Sequence, residues 1–305
     1  MTDHTSAIAP RVDLDALSAH FLRLFPSLDE KDQKVALALY RSLSQGHPVS
    51  AAALARAVRL PEDDVVKRLS GWPGVYYDKS RHVIGFWGLT IMPMPHRLLS
   101  DGIALYAWCA WDTLFLPELI GGTLDVESTC RGTGQAVRLT ATPTGVHQAD
   151  SAEVVLSFLI PDSDRMNADV IASFCHYVHF FRSPQAALPW LAEHRDSFLL
   201  SLADAYALGR RINSARYDES LLRRTEVSTN GFFPPSARLH VEHRFVFAMH
   251  LIQLQIAQPT NGLFPHDFPT FRERERGQIL CKYLKRLVGR GGFEPPTNRL
   301  KVGGP

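Results

Sequence analysis

The sequence predicts an α+β protein: a winged helix-turn-helix-like unit followed by a mixed sheet-and-helix domain. Three observations carry this expectation. Short stretches with helical apolar spacing, closed by a candidate hairpin, fill residues 29–92. Alternating, β-rich stretches cluster between residues 123 and 160. Helical segments return after residue 184, without the strict β-α alternation of a parallel sheet.

Element by element, Asp29 or Asp32 can cap a helix whose apolar positions Val35, Leu37, Leu39, Tyr40 and Leu43 share a face, and Gly46 ends it. Ser50 caps a short second helix through Leu54, Ala55 and Val58. Pro61 opens a third, with Val65, Val66 and Leu69, which Gly71 and Pro73 terminate. Residues 75–77 and 83–86 flank the polar turn Asp78-Lys79-Ser80-Arg81 and read as a two-stranded wing. Residues 105–116 read as a strongly apolar helix stopped near Pro117. Strands are expected at 123–129, 136–142 and 153–160, punctuated by Gly132, Gly134 and Pro143. Residues 167–181 are apolar, and helices are expected at 184–194 and 199–213.

Beyond Tyr217 the pattern decays. Residues 238–256 and 278–287 have helical character, whereas 289–297 are rich in Gly and Pro and are expected to be disordered. The expected organisation is an N-terminal segment at 1–28, the winged helix-like unit at 29–95, the mixed sheet-and-helix domain at 96–217 and an atypical, poorly ordered extension at 218–305.

Composition narrows the function classes. Hydrophobic residues make up 45% and charged residues 21%, as in globular proteins. No apolar run approaches the ~20 residues that span a bilayer, and the first ten residues lack a basic start followed by an apolar stretch, so a cytoplasmic location is expected. The net charge of +2 is uneven: residues 272–301 hold nine Lys or Arg against three Glu, leaving a mildly acidic body. The third predicted helix carries Glu62, Asp63 and Asp64 against Lys67 and Arg68, a surface that gains little from phosphates. A scaffold role for the unit is expected, and no nucleic-acid partner.

Four cysteines stand at 109, 130, 175 and 281, with no close pair of the zinc-finger kind. Cys109 and Asp112, three residues apart on the predicted helix, would share a face. A thiol of ordinary acidity is only a few per cent thiolate at neutral pH, so a carboxylate that accepts and returns its proton would activate it. A structural role for Asp112, capping a turn or pairing with an Arg, is the competing reading. Cys175 lies beside His176 and His179, a set that suits soft or borderline metals, although His179 reads better as a structural hydrogen-bonding residue than as a ligand.

The segments at 105–115 (Leu-Tyr-Ala-Trp-Cys-Ala-Trp-Asp-Thr-Leu-Phe), 128–134 (Ser-Thr-Cys-Arg-Gly-Thr-Gly) and 173–181 (Ser-Phe-Cys-His-Tyr-Val-His-Phe-Phe) resemble those of the organomercurial (alkylmercury) lyases in order and spacing. The resemblance runs from about residue 30 to about residue 213. It implies that Cys109 and Cys175 grip mercury, that Asp112 shuttles the proton and can also contact the metal, and that Cys130 is structural. Two departures stand out: His176 occupies a position where many members have a second cysteine, and Tyr177 one where histidine is common. Cys281 lies outside the family pattern.

The implied substrate is an organomercurial, cleaved to a hydrocarbon and Hg(II) with no cofactor. Cellular thiols or a mercuric reductase would accept the Hg(II). Thiolates, the softest protein ligands, suit mercury, and Tyr106, Trp108, Trp111 and Phe174 are candidates to line an apolar pocket for the organic group. The competing expectations are a metal-responsive winged-helix regulator and a thiolate metal-binding protein.

Overall fold

Leu14, Leu17, Phe21 and Leu24 recur at helical spacing behind Asp13, whose carboxylate accepts the N–H groups of Asp15 and Ala16, and they form α1 (Leu14–Leu24). This helix falls in the segment given no element from sequence. A computed structural model of the chain describes residues 12–160 and 169–223.

The next three helices form where the sequence puts them. Helix α2 (Glu30–Leu43) opens on a reciprocal cap, Asp29 accepting the Asp32 N–H while Asp32 accepts that of Asp29. Ser50 caps α3 (Ala51–Val58), and Pro61 precedes α4 (Glu62–Gly71). Arg68 of α4 pairs with Asp29 and Asp32 at the start of α2.

The expected wing is the edge of a larger structure. Strands β1 (Val75–Tyr77), β2 (Val83–Phe86), β3 (Leu89–Thr90), β4 (His96–Ser100), β5 (Ile103–Ala107), β6 (Leu124–Thr129), β7 (Ala136–Thr142) and β8 (Gly145–His147) form one antiparallel sheet in the order β1-β2-β3-β5-β4-β6-β7-β8. Strands from both sides of residue 95, which lies in the loop between β3 and β4, join this one sheet. Period-two alternation decides its faces: Leu124, Val126, Val137, Leu139 and Ala141 are buried, while Asp125, Glu127 and Arg138 point outward.

Residues 105–116 correct the expectation of one helix. Leu105 to Ala107 belong to β5, which pairs with β4 through the two-residue turn Asp101-Gly102, both at positive φ. Helix α5 starts only at Asp112 and runs to Ile120, passing through Pro117 and ending at Gly121 in the left-handed conformation. Burial of Leu114, Leu116 and Leu119 outweighs the backbone hydrogen bond that Pro117 cannot donate. Cys109 therefore lies in the turn between β5 and α5, not on a helix.

A second, three-stranded antiparallel sheet has the order β10-β9-β11, from β9 (Val155–Leu159), β10 (Phe180–Phe181) and β11 (Ser197–Ser201). The short helix α6 (Val170–Ser173) and a 3-10 turn (Cys175–Tyr177) lead into β10. Helix α7 (Pro184–Glu193) follows as expected. The helix expected at 199–213 begins later: residues 197–201 pair with β9, and α8 (Leu202–Arg216) starts behind the Ser201 cap. The region expected to be a poorly ordered extension opens with α9 (Glu219–Leu222), whose Leu221 and Leu222 carbonyls accept hydrogen bonds from Arg41 of α2. The remaining expectations beyond residue 223, including Cys281, lie outside the described residues.

One contiguous core runs from α1 to α9. At its centre Phe21, Trp111, Phe158 and Phe174 pack with ring centroids 5.3–6.0 Å apart, mostly tilted or edge-on. Such pairs contribute about 0.5–1.5 kcal/mol each beyond the area they bury. Trp111 and Phe174 directly precede Asp112 and Cys175, so this cluster fixes both chain segments of the candidate site. Among the described residues, no helix is long and apolar enough to cross a membrane.

Candidate active site

Two turns from different sheets meet here. The turn after β5 carries Cys109, and its Ala110 N–H donates to the Val178 carbonyl (3.1 Å). Cys175 sits on the 3-10 turn closed by Val178 N–H to its own carbonyl (3.2 Å). Ser157 of β9 holds that second turn, its hydroxyl donating to the Tyr177 carbonyl (2.7 Å) and accepting the His179 N–H (3.0 Å). Asp112 opens α5 and turns its carboxylate back, so that Oδ2 accepts the Cys109 N–H at 2.7 Å.

The result brings the three predicted residues together. A sulfur of Cys109, a sulfur of Cys175 and a carboxylate oxygen of Asp112 all lie within 4.8 Å of one another. Cys109 is fully buried, Cys175 is 4% exposed and Asp112 5%. No other group of three or more such ligands occurs among the described residues.

Burial governs the electrostatics. It lifts the Asp112 carboxyl to about 7, although hydrogen bonds from the Cys109 side chain and from the Cys109 and Trp108 N–H groups pull the other way. Burial also pushes the Cys109 thiol well above its ordinary value, reinforced by its contact with Cys175 and the charge of Asp112. At Cys175 the Cys109 hydrogen bond lowers the value, but burial and the charges of Asp112 and Asp169 outweigh it and leave it raised. The site thus favours protons on sulfur and a carboxyl poised between its two forms near neutral pH. Its two thiols are soft donors, suited to a soft cation, and each would lose its proton on binding one.

The alkylmercury lyase family model matches residues 89–214, the stretch that carries all three groups. The chain is 43% identical over 182 residues to the alkylmercury lyase of Staphylococcus epidermidis, an alignment covering 60% of this chain and 82% of that protein. The chain belongs to the alkylmercury lyase family. The alkylmercury lyase of Streptomyces lividans is 40% identical over 177 residues, 58% of this chain and 80% of that protein. Among solved structures, the mercury-bound form of MerB2 superposes with a TM-score of 0.54 over 65% of this chain and 97% of that one, and its 23% identity makes it a likeness of fold.

Against this family background, the other residues singled out from sequence separate clearly. Cys130 stands apart from the cluster, in a tight turn after β6 where its N–H donates to the Gln135 carbonyl (2.7 Å) and its sulfur accepts the Arg182 N–H (3.4 Å). Trp111 and Phe174, next in sequence to Asp112 and Cys175, pack into the aromatic core with Phe21 and Phe158. Trp108 instead packs edge-on against Tyr76 at 5.1 Å. Tyr106 alternates to the face of β5 opposite Leu105 and Ala107, which are fully buried. The His176 and His179 rings lie 6.4 Å apart, outside the group of potential ligands. His179 packs edge-on against Trp190 at 4.7 Å, and burial lowers its ring to about 3. Its ring is hydrogen-bonded to the His176 backbone, in line with the structural role expected, while Nε2 is buried with no partner and the His179 backbone N–H bonds to Ser157.

Two features near the site escaped the sequence. Phe21 reaches it from α1, a signal present in the Leu14-Leu17-Phe21-Leu24 spacing. Gly88 lies against the Asp112 carboxylate, and no local pattern announces that long-range approach.

Proposed function

We propose that this chain is an organomercurial lyase that cleaves carbon–mercury bonds by protonolysis through Cys109, Cys175 and Asp112. The single observation that carries it is the approach of two buried sulfurs and one buried carboxylate oxygen to within 4.8 Å of each other. Binding of an alkyl- or arylmercury cation to the first cysteine forms a sulfur–mercury bond and releases that thiol's proton to solvent. The second thiol then gives its proton to the Asp112 carboxylate and its sulfur to mercury. Two thiolates raise the electron density on the metal and weaken its bond to carbon. Protonated Asp112 delivers its proton to the departing carbon, acting as general acid. One substrate cation and two thiols yield one hydrocarbon, Hg(II) held by two thiolates and one released proton.

In this scheme Asp112 contacts the metal only transiently, and no organic cofactor takes part. Cellular thiols or a mercuric reductase are the proposed acceptors of Hg(II), in a cytoplasmic setting that keeps the thiols reduced. The winged helix-like unit at 29–95 serves as scaffold to the catalytic residues at 96–217, with the acidic start of α4 speaking against DNA. Purified protein in excess thiol should release benzene from phenylmercury, and Cys109→Ser and Cys175→Ser should each abolish turnover. Near-normal turnover by either variant would end the two-thiolate scheme.

A further inference from the structure

The turn between β2 and β3 consists of two residues, Trp87 and Gly88, because Phe86 pairs directly with Leu89. Both have positive φ, 35° and 94°, a combination that two-residue hairpins require but that a tryptophan rarely supplies. The strain is held by four contacts. The Tyr40 hydroxyl of α2 donates to the Trp87 carbonyl (3.0 Å), and the Trp87 N–H donates to the Gly74 carbonyl (3.2 Å). The Trp108 N–H donates to the Gly88 carbonyl (3.0 Å), and the Phe25 ring meets that of Trp87 edge-on at 4.6 Å. A backbone kept in a costly conformation by this many contacts points to a purpose beyond closing a hairpin.

The Gly88 α-carbon faces Asp112. A β-carbon at Gly88 would stand 2.7 Å from both Cγ and Oδ1 of Asp112 and 3.0 Å from its Cβ. Oδ2 of the same carboxylate is fixed on the other side by the Cys109 N–H (2.7 Å). The carboxylate therefore occupies a slot with the Cys109 turn on one wall and a bare glycine on the other. We infer that Gly88 is a positioning residue for the proton shuttle, its missing side chain setting where the Asp112 carboxylate stands relative to the two sulfurs. Tyr40, through the Trp87 carbonyl, anchors that wall from the N-terminal helices. The inference rests on the role proposed above for Asp112.

The test is a double-mutant cycle on the full chain, scored by organomercurial uptake and by single-turnover hydrocarbon release. Gly88→Ala should still take up one equivalent of phenylmercury but release benzene on the order of 10²-fold more slowly, the usual effect of misplacing a reacting group by about 1 Å. In an Asp112→Ala background the same substitution should add no further loss, because Gly88 acts only through that carboxylate. Gly102→Ala controls for backbone strain: φ is 80° there and no atom lies within 4 Å of the added methyl, so turnover should stay at the wild-type level. Should Gly88→Ala fold poorly, Tyr40→Phe loosens the same wall by removing one hydroxyl and should slow release several-fold, again only when Asp112 is present. Wild-type release by Gly88→Ala, or equal losses with and without Asp112, would overturn the role of Gly88. Wild-type release by Asp112→Ala alone is a different result and would overturn the shuttle itself.

Discussion

Asp112→Asn should make the protein more stable at alkaline pH while destroying its activity. The wild-type carboxyl is raised by burial from 3.8 to about 7, so between these values the folded state holds a proton that the unfolded state has lost. Its contribution to stability therefore falls as pH rises through that window. Three units at about 1.4 kcal/mol each give a full penalty of about 4 kcal/mol, reached above pH 7. About 3 kcal/mol of it develops between pH 5 and pH 8. The asparagine amide has nearly the same shape, can still accept the Cys109 N–H and does not ionise. The assay is urea denaturation of wild type and variant across pH 5–8. The stability advantage of the variant should widen by about 3 kcal/mol over that range. A constant difference would refute the claim that Asp112 is held near neutrality by burial.

The rate of hydrocarbon release should fall below pH 7, because Asp112 must be ionised to accept the thiol proton; a single-turnover pH profile flat from pH 5 to 8 would contradict this. Phe21→Ala should cost about 3–5 kcal/mol, since the ring is fully buried among Trp111, Phe158 and Phe174, and an unchanged denaturation midpoint would show that α1 adds nothing to the core. Cys130→Ser should lower stability by about 1–3 kcal/mol through burial of a hydroxyl, yet leave turnover in the folded fraction intact. A stable but inactive Cys130→Ser protein would mean that this cysteine takes part in the chemistry.

What was legible in the sequence was local. Caps at Asp29 and Ser50, Pro61 ahead of α4, and the alternation in β6 and β7 depend on near neighbours, and each element formed as expected. The apolar run at 105–116 misled because its first residues pair with strands on both sides, a demand that hydrophobicity alone does not reveal. The Asp101-Gly102 dipeptide was the signal that a hairpin precedes it. Residues 199–201 read as the start of a helix for the same reason, as their pairing with β9 is long-range. The candidate site residues were picked out through the resemblance of three cysteine segments to the alkylmercury lyases, but their geometry was not legible: Cys109 and Asp112 meet through a backbone hydrogen bond at a helix start and not along a helix face. The Gly88 wall comes from a hairpin two dozen residues upstream and could be seen only in the fold.

The central claim is that Asp112 carries a proton from sulfur to carbon. Single-turnover release of benzene from phenylmercury bound stoichiometrically to wild type and to Asp112→Ala tests it most directly. Equal uptake with release at least about 10²-fold slower in the variant is the predicted result. Equal rates of release, or parallel loss of uptake and release, would contradict it.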